Sequence, residues 1–143
     1  MAHKIEDLPI YQKVVDFWSA VNSLLAKPQV RRDRDLHDQI ARANNSIPAN
    51  MVEGFEQGSD RSFAHFVTHA KGSLAEVLAR LKQAYFKHYI TADELNARLA
   101  AGEELGKMLG GFIKYLRKCS WTDRGSHDST IQRFKDERFK DSR

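Results

Sequence analysis

The sequence has little of what most chemistry is built on. Cys119 is its single cysteine, so no disulfide can form within the chain, and one thiol fits a reducing, cytoplasmic setting. No apolar run approaches the ~20 residues that cross a membrane, so no membrane span is expected. The opening residues, MAHKIEDLPIY, lack the apolar stretch of a secretory signal. There is no glycine-rich phosphate loop, and no Ser-His-Asp or Cys-His arrangement has a recognisable local signature. His65 and His69 have a metal-compatible spacing, but Phe66 stands where the HExxH motif has glutamate, and no further ligand cluster completes a site. No enzymatic activity, metal or cofactor is expected.

What remains is helix. The chain has 143 residues and three prolines, enough length for one domain with a real core. Its apolar residues recur at spacings of three and four, not in alternation, which is the pattern of an all-α fold.

The central stretch is Gln39 to Phe55, QIARANNSIPANMVEGF. Ile40, Ala43, Ile47 and Met51 form an apolar stripe at helical spacing. Gln39, Arg42, Ser46, Asn50 and Glu53 form a polar stripe beside it. Pro48 in mid-helix removes one hydrogen bond and crowds the Asn44 carbonyl, at a cost of ~3 kcal/mol. Two unlike stripes imply more than one neighbour. The polar one is either satisfied inside a bundle or at a subunit contact, or it is a ligand or RNA site. Arg42 paired with a buried Glu53 or Glu76 is the expected arrangement.

Around this stretch the pattern predicts three more helices. The first starts at Asp7 as N-cap, with Pro9 in its first turn, and ends before Pro28. Its apolar face is Leu8, Tyr11, Val14 or Val15, Trp18, Val21 and Leu25. Residues 27–34 read as a basic first connection and the entry to the central helix, carrying Arg31, Arg32 and Arg34. The central helix spans about 35–56. The third spans about 61–88, capped by Ser59 or Asp60, with Gly72-Ser73 leaving room for another backbone. The fourth begins with a capping box, Thr91 to Glu94, and ends near Lys118. Gly102, Gly106 and Gly110 recur every four residues on it and permit close helix contact.

The formal charge is +4, and from Lys114 onward nine basic residues face five acidic ones, so this end holds the whole excess. Residues 1–119 read as the helical domain. Residues 120–143 read as a basic, aromatic-containing tail with the near-repeat FKD. Basic residues interleaved with aromatics suit phosphates and exposed bases. The candidate nucleic-acid contacts are Arg31, Arg32, Arg34, Arg42, Lys114, Arg117, Lys118, Arg133, Lys135, Arg138 and Lys140. A protein partner docking on the tail is the alternative.

Three blocks carry a family resemblance. DLPIYQK, QIARANNSIPANMVEGF and SFAHFVTHAKGSLAEV are similar to DLxVYQKA, QIRRAAxSIPxNIAEG and EFxxFLxIAxGSxxEL of the bacterial four-helix-bundle proteins. These are the ribosomal-RNA intervening-sequence-encoded family. Ala41 replaces the first arginine of QIRRA, so any RNA contact by that residue is missing. The resemblance, over about residues 5–118, implies an antiparallel up-and-down four-helix bundle closed into a ring-shaped homo-oligomer, typically a pentamer. It further implies kinship with the accessory protein of diversity-generating retroelements, a basic pentamer that binds a reverse transcriptase and its RNA. The expectation is therefore a non-catalytic module that binds structured RNA or an RNA–protein complex. A scaffold or accessory subunit without RNA binding of its own is the alternative.

Overall fold

The computed structural model describes residues 4–122, and every regular element among them is helical. A 3-10 turn at Ile5–Asp7 is followed by α1 (Pro9–Leu25), α2 (Pro28–Arg32), α3 (Arg34–Glu56), α4 (Asp60–Phe86) and α5 (Ala92–Thr122). The long helices pack in the cyclic order α1, α3, α4, α5 and back to α1. Contacts between α3 and α4 run antiparallel: Ser73 meets Ser46, while Phe63 and Phe66 meet Gly54. Those between α4 and α5 do too, since Leu78, Leu74 and Lys71 face Gly102, Gly106 and Gly110 in turn. Short connections between antiparallel neighbours make this an up-and-down bundle.

The core fills the space between the four helices. Ile40, Ala43, Ile47 and Met51 are all buried, as their spacing predicts. Phe63 sits between Phe55 and Phe112 in edge-to-face contacts, with centroids 6.1 and 5.1 Å away. Such pairs each contribute ~0.5–1.5 kcal/mol beyond their area. The face of α1 is rotated from its expected position. Ile10, Phe17 and Leu24 are buried with Val14, Val21 and Leu25, while Tyr11 and Trp18 lie at the margin. Trp18 is held there because its indole N–H donates to Asn45 Oδ1 at 2.8 Å.

Three helix boundaries differ from expectation. Asp7 does not cap α1. Leu8 is the N-cap, because Pro9 at the first helical position drives the residue before it into extended conformation (φ −85°, ψ 120°). Residues 27–34 are not a plain connection. Pro28 nucleates the short α2, and Asp33 alone separates it from α3. The last helix does not stop near Lys118 but continues to Thr122.

The expected caps are present elsewhere. Ser59 Oγ accepts from Ser62 N at 3.1 Å. Thr91 Oγ1 accepts from Glu94 N at 3.1 Å, and Glu94 Oε1 accepts from Thr91 N at 2.9 Å. The end of α4 is a Schellman motif. His88 N donates to Tyr85 O and Tyr89 N to Ala84 O, both at 2.9 Å, and His88 occupies the left-handed region at φ 64°. Among the described residues no helix is long and apolar enough to cross a membrane.

Candidate nucleic-acid interface

The α2–α3 junction displays arginines for a local reason. Lys27 is extended before Pro28, the five-residue α2 is pinned by buried Val30, and Arg34 opens α3 directly after Asp33. Three arginines thus fall within four positions on a chain reversal. Arg31, Arg32 and Arg34 are exposed, and none forms an ion pair among the described residues.

Asp33, between them, is committed inward. Its carboxylate caps α3 by accepting from Leu36 N at 3.2 Å. It also accepts from Lys87 Nζ at 2.8 Å and Tyr89 Oη at 2.9 Å. The Lys87 bond, then the Leu36 N–H and the Tyr89 hydroxyl, hold the Asp33 carboxyl below its usual range. Asp33 in turn raises both Lys87 and Tyr89. The α4–α5 turn is thereby tied to the α2–α3 junction. Between them lies a cleft of about 620 Å³ lined by Gln29, Arg32, Asp33, Arg34 and Tyr89.

Sequence reasoning missed Lys87 and Tyr89. The signal was the run YFKHY at the end of α4, which mixes aromatic and basic residues as the tail does. Phe86 is 74% exposed.

The other predicted residues lie apart from this cleft. Arg42 is two turns further along α3. Lys114 follows Glu94 by roughly 30 Å of helix axis, and Glu94 is tied to Lys27 at the cleft's end of the bundle (2.7 Å). Lys114, Arg117 and Lys118 therefore form a second exposed basic region toward the opposite end. Arg133, Lys135, Arg138 and Lys140 lie outside the described residues.

The polar stripe divides into two kinds of residue. Asn50 Nδ2 donates to the Ser46 carbonyl (2.8 Å) and hydroxyl (2.9 Å), and Ser73 Oγ donates to Ser46 Oγ (2.8 Å). Gln39 Nε2 donates to Asp35 at 3.1 Å. Arg42, Glu53 and Glu76 are exposed. The expected pairing of Arg42 with a buried glutamate is not formed, because both glutamates project outward from the α3–α4 seam. His65 and His69 are exposed, with rings 4.7 Å apart, and no group of three potential ligands accompanies them among the described residues.

A comparison with curated proteins finds no match. Among solved structures, the chain is similar to a protein of unknown function from the S23 ribosomal protein family of Bacteroides thetaiotaomicron. The two share 24% identity and a TM-score of 0.66, over 73% of this chain and 98% of that one. At that identity the likeness supports the fold. The model of a family described as 23S rRNA-intervening sequence protein matches residues 6–111, more than half of the chain. This chain belongs to the 23S rRNA-intervening sequence protein family.

Proposed function

We propose that this protein is a non-catalytic, oligomeric RNA-binding module, acting in the cytoplasm on structured RNA or an RNA–protein complex. The observation that carries the reading is the α2–α3 junction. Arg31, Arg32 and Arg34 are exposed and without ion pairs among the described residues, and two of them, Arg32 and Arg34, line a cleft whose carboxylate is already taken by Lys87 and Tyr89. Guanidinium groups left without partners bind phosphate strongly and bidentately. The family's link to ribosomal RNA insertions points the same way.

The subunits close into a ring, a homopentamer by family resemblance. The α3–α4 seam supports this: the hydrogen-bonded Ser46–Asn50–Ser73 cluster is only half-buried within the subunit, and small residues, Ala49 on α3 and Gly72 on α4, are exposed near it. A ring repeats each basic patch several times, so modest subunit affinity becomes useful avidity.

The test is fluorescence anisotropy with a structured RNA, titrated with salt, beside light scattering for the assembly. Affinity falls steeply with salt as counterions are released. An absence of binding at low salt overturns the RNA reading in favour of a scaffold for a protein such as a reverse transcriptase. A monomer by light scattering overturns the ring.

A further inference from the structure

Resting on the RNA-binding reading, we propose a second contact surface for the same RNA. Its phosphate backbone lies along the α4–α5 seam, at the end of the bundle away from the arginine junction, held by Lys71, Lys107, Lys114 and Arg117.

The α4–α5 pair is electrically divided along its length. Residues 61–75 of α4 and 105–122 of α5 include no aspartate or glutamate. These two segments lie side by side, because Leu74 and Lys71 face Gly106 and Gly110. The carboxylates of the pair are elsewhere: Asp60 is buried at the start of α4, and Glu76, Asp93, Glu94, Glu103 and Glu104 belong to the other half.

The cations of the carboxylate-free half gather on one face. Lys107 comes three residues before Gly110, Lys114 four after it and Arg117 seven after it, so all three project from the side of α5 that carries Gly110. Lys71 reaches the same place from α4: a β-carbon on Gly110 would lie 3.5 Å from Lys71 Nζ. All four side chains are exposed, and none forms an ion pair among the described residues. From Lys107 to Arg117 the axis of α5 advances ~15 Å. One strand of a duplex presents about four phosphates over that length.

The helix surface between these cations is bare. Gly102 is glycine for packing, since a β-carbon there would lie 2.6 Å from Leu78 Cδ2. Gly111 has no such reason, because nothing lies within 4 Å of its built β-carbon, and Gly110 would meet only the end of the flexible Lys71 side chain. Glycine is the poorest helix former after proline, yet two stand together here between Lys107 and Lys114. The cations supply the attraction, and the missing side chains let a sugar–phosphate chain come close to the helix. A lipid surface also offers phosphates, but the large exposed apolar side chains that would enter it are not here: Val52 is on α3 and Phe86 is at the far end of α4.

The experiment uses the full chain and a labelled RNA hairpin, with anisotropy titrations across a salt series. Lys107→Gln with Lys114→Gln is expected to lower the slope of log affinity against log salt by about 1.4–1.8, and adding Lys71→Gln by about 0.7–0.9 more. Lys13→Gln with Lys82→Gln, a charge-matched control outside the carboxylate-free half, is expected to leave the slope unchanged. Gly111→Gln is expected to weaken RNA binding while its melting temperature stays at or above that of the wild type, which separates a lost contact from a lost fold. Light scattering follows the assembly of each variant.

If the wild type binds RNA but the lysine variants match the control, or Gly111→Gln binds as tightly as the wild type, the seam is overturned while the RNA module stands on its junction arginines. If Gly111→Gln reduces the size of the assembly, the seam is a contact between subunits and the proposal is overturned. If the lysine variants lose binding to phosphatidylserine vesicles and keep their RNA slope, the occupant is a lipid surface and the proposal is again overturned. If the wild type binds no RNA, the module itself fails, and this surface with it.

Discussion

Lys87 Nζ lies 2.8 Å from Asp33 Oδ2, joining two chain segments 54 residues apart. The bond gives the bundle a specific acid response. Asp33 is held below the ordinary carboxylate pKa of ~3.9 by Lys87, Leu36 N–H and Tyr89. A carboxyl lowered in the folded state stabilises that state above its unfolded pKa, and the contribution disappears as pH falls through the folded value. Asp33→Asn is therefore expected to lower the melting temperature at neutral pH. The gap from wild type should close below about pH 4. Glu94, lowered by Lys27 and then by Thr91 N–H, keeps part of the acid dependence in the variant. Equal melting temperatures at pH 7 would show that the Asp33 network contributes nothing to stability.

His88 sits where a Schellman motif usually places glycine, at φ 64°. A side chain in the left-handed region costs ~1–2 kcal/mol, and glycine loses part of that advantage through its greater freedom when unfolded. His88→Gly is expected to stabilise the subunit by roughly 0.5–1 kcal/mol in urea denaturation. His88→Ala retains the β-carbon and should show no such gain.

Arg42 is exposed and without an ion pair among the described residues. Arg42→Ala should leave subunit stability within ~0.5 kcal/mol of wild type. A loss of RNA affinity with the fold intact assigns Arg42 to the binding surface. A loss of several kcal/mol would instead mean that Arg42 is buried against a partner subunit, the one arrangement in which stranding a charge is so costly.

Helix α3 was legible because Ile40, Ala43, Ile47 and Met51 repeat at one spacing and bury one face. The capping box of α5 was legible because its hydrogen bonds are local. The candidate cleft was half legible. Arg31, Arg32 and Arg34 announce themselves by clustering, but Lys87 and Tyr89 reach them only through the fold, across more than 50 residues. The partner of Arg42 was not legible for a similar reason. Periodicity shows that Arg42 and Glu53 share a stripe, yet whether that stripe is covered depends on neighbours that one chain does not specify.

Two glycines on the α3–α4 pair test that last point. A β-carbon on Gly54 would lie 2.7 Å from Phe63 Cδ1 and 2.8 Å from Phe66 Cβ. The second contact is with an atom fixed to the backbone of α4, so relief requires the helices to separate. Overpacking of this kind costs ~1–3 kcal/mol and exceeds the ~1 kcal/mol gained in helix propensity. Gly54→Ala is therefore expected to destabilise the subunit. Gly72 is the opposite case. Nothing lies within 4 Å of its built β-carbon, so Gly72→Ala gains the propensity term of ~1 kcal/mol with no clash inside the subunit. If the α3–α4 face is a subunit contact, the same methyl group intrudes there and light scattering shows a smaller assembly, although the isolated subunit is more stable. If the face is open to water, Gly72→Ala raises stability and leaves the assembly unchanged, and the ring must close through another surface.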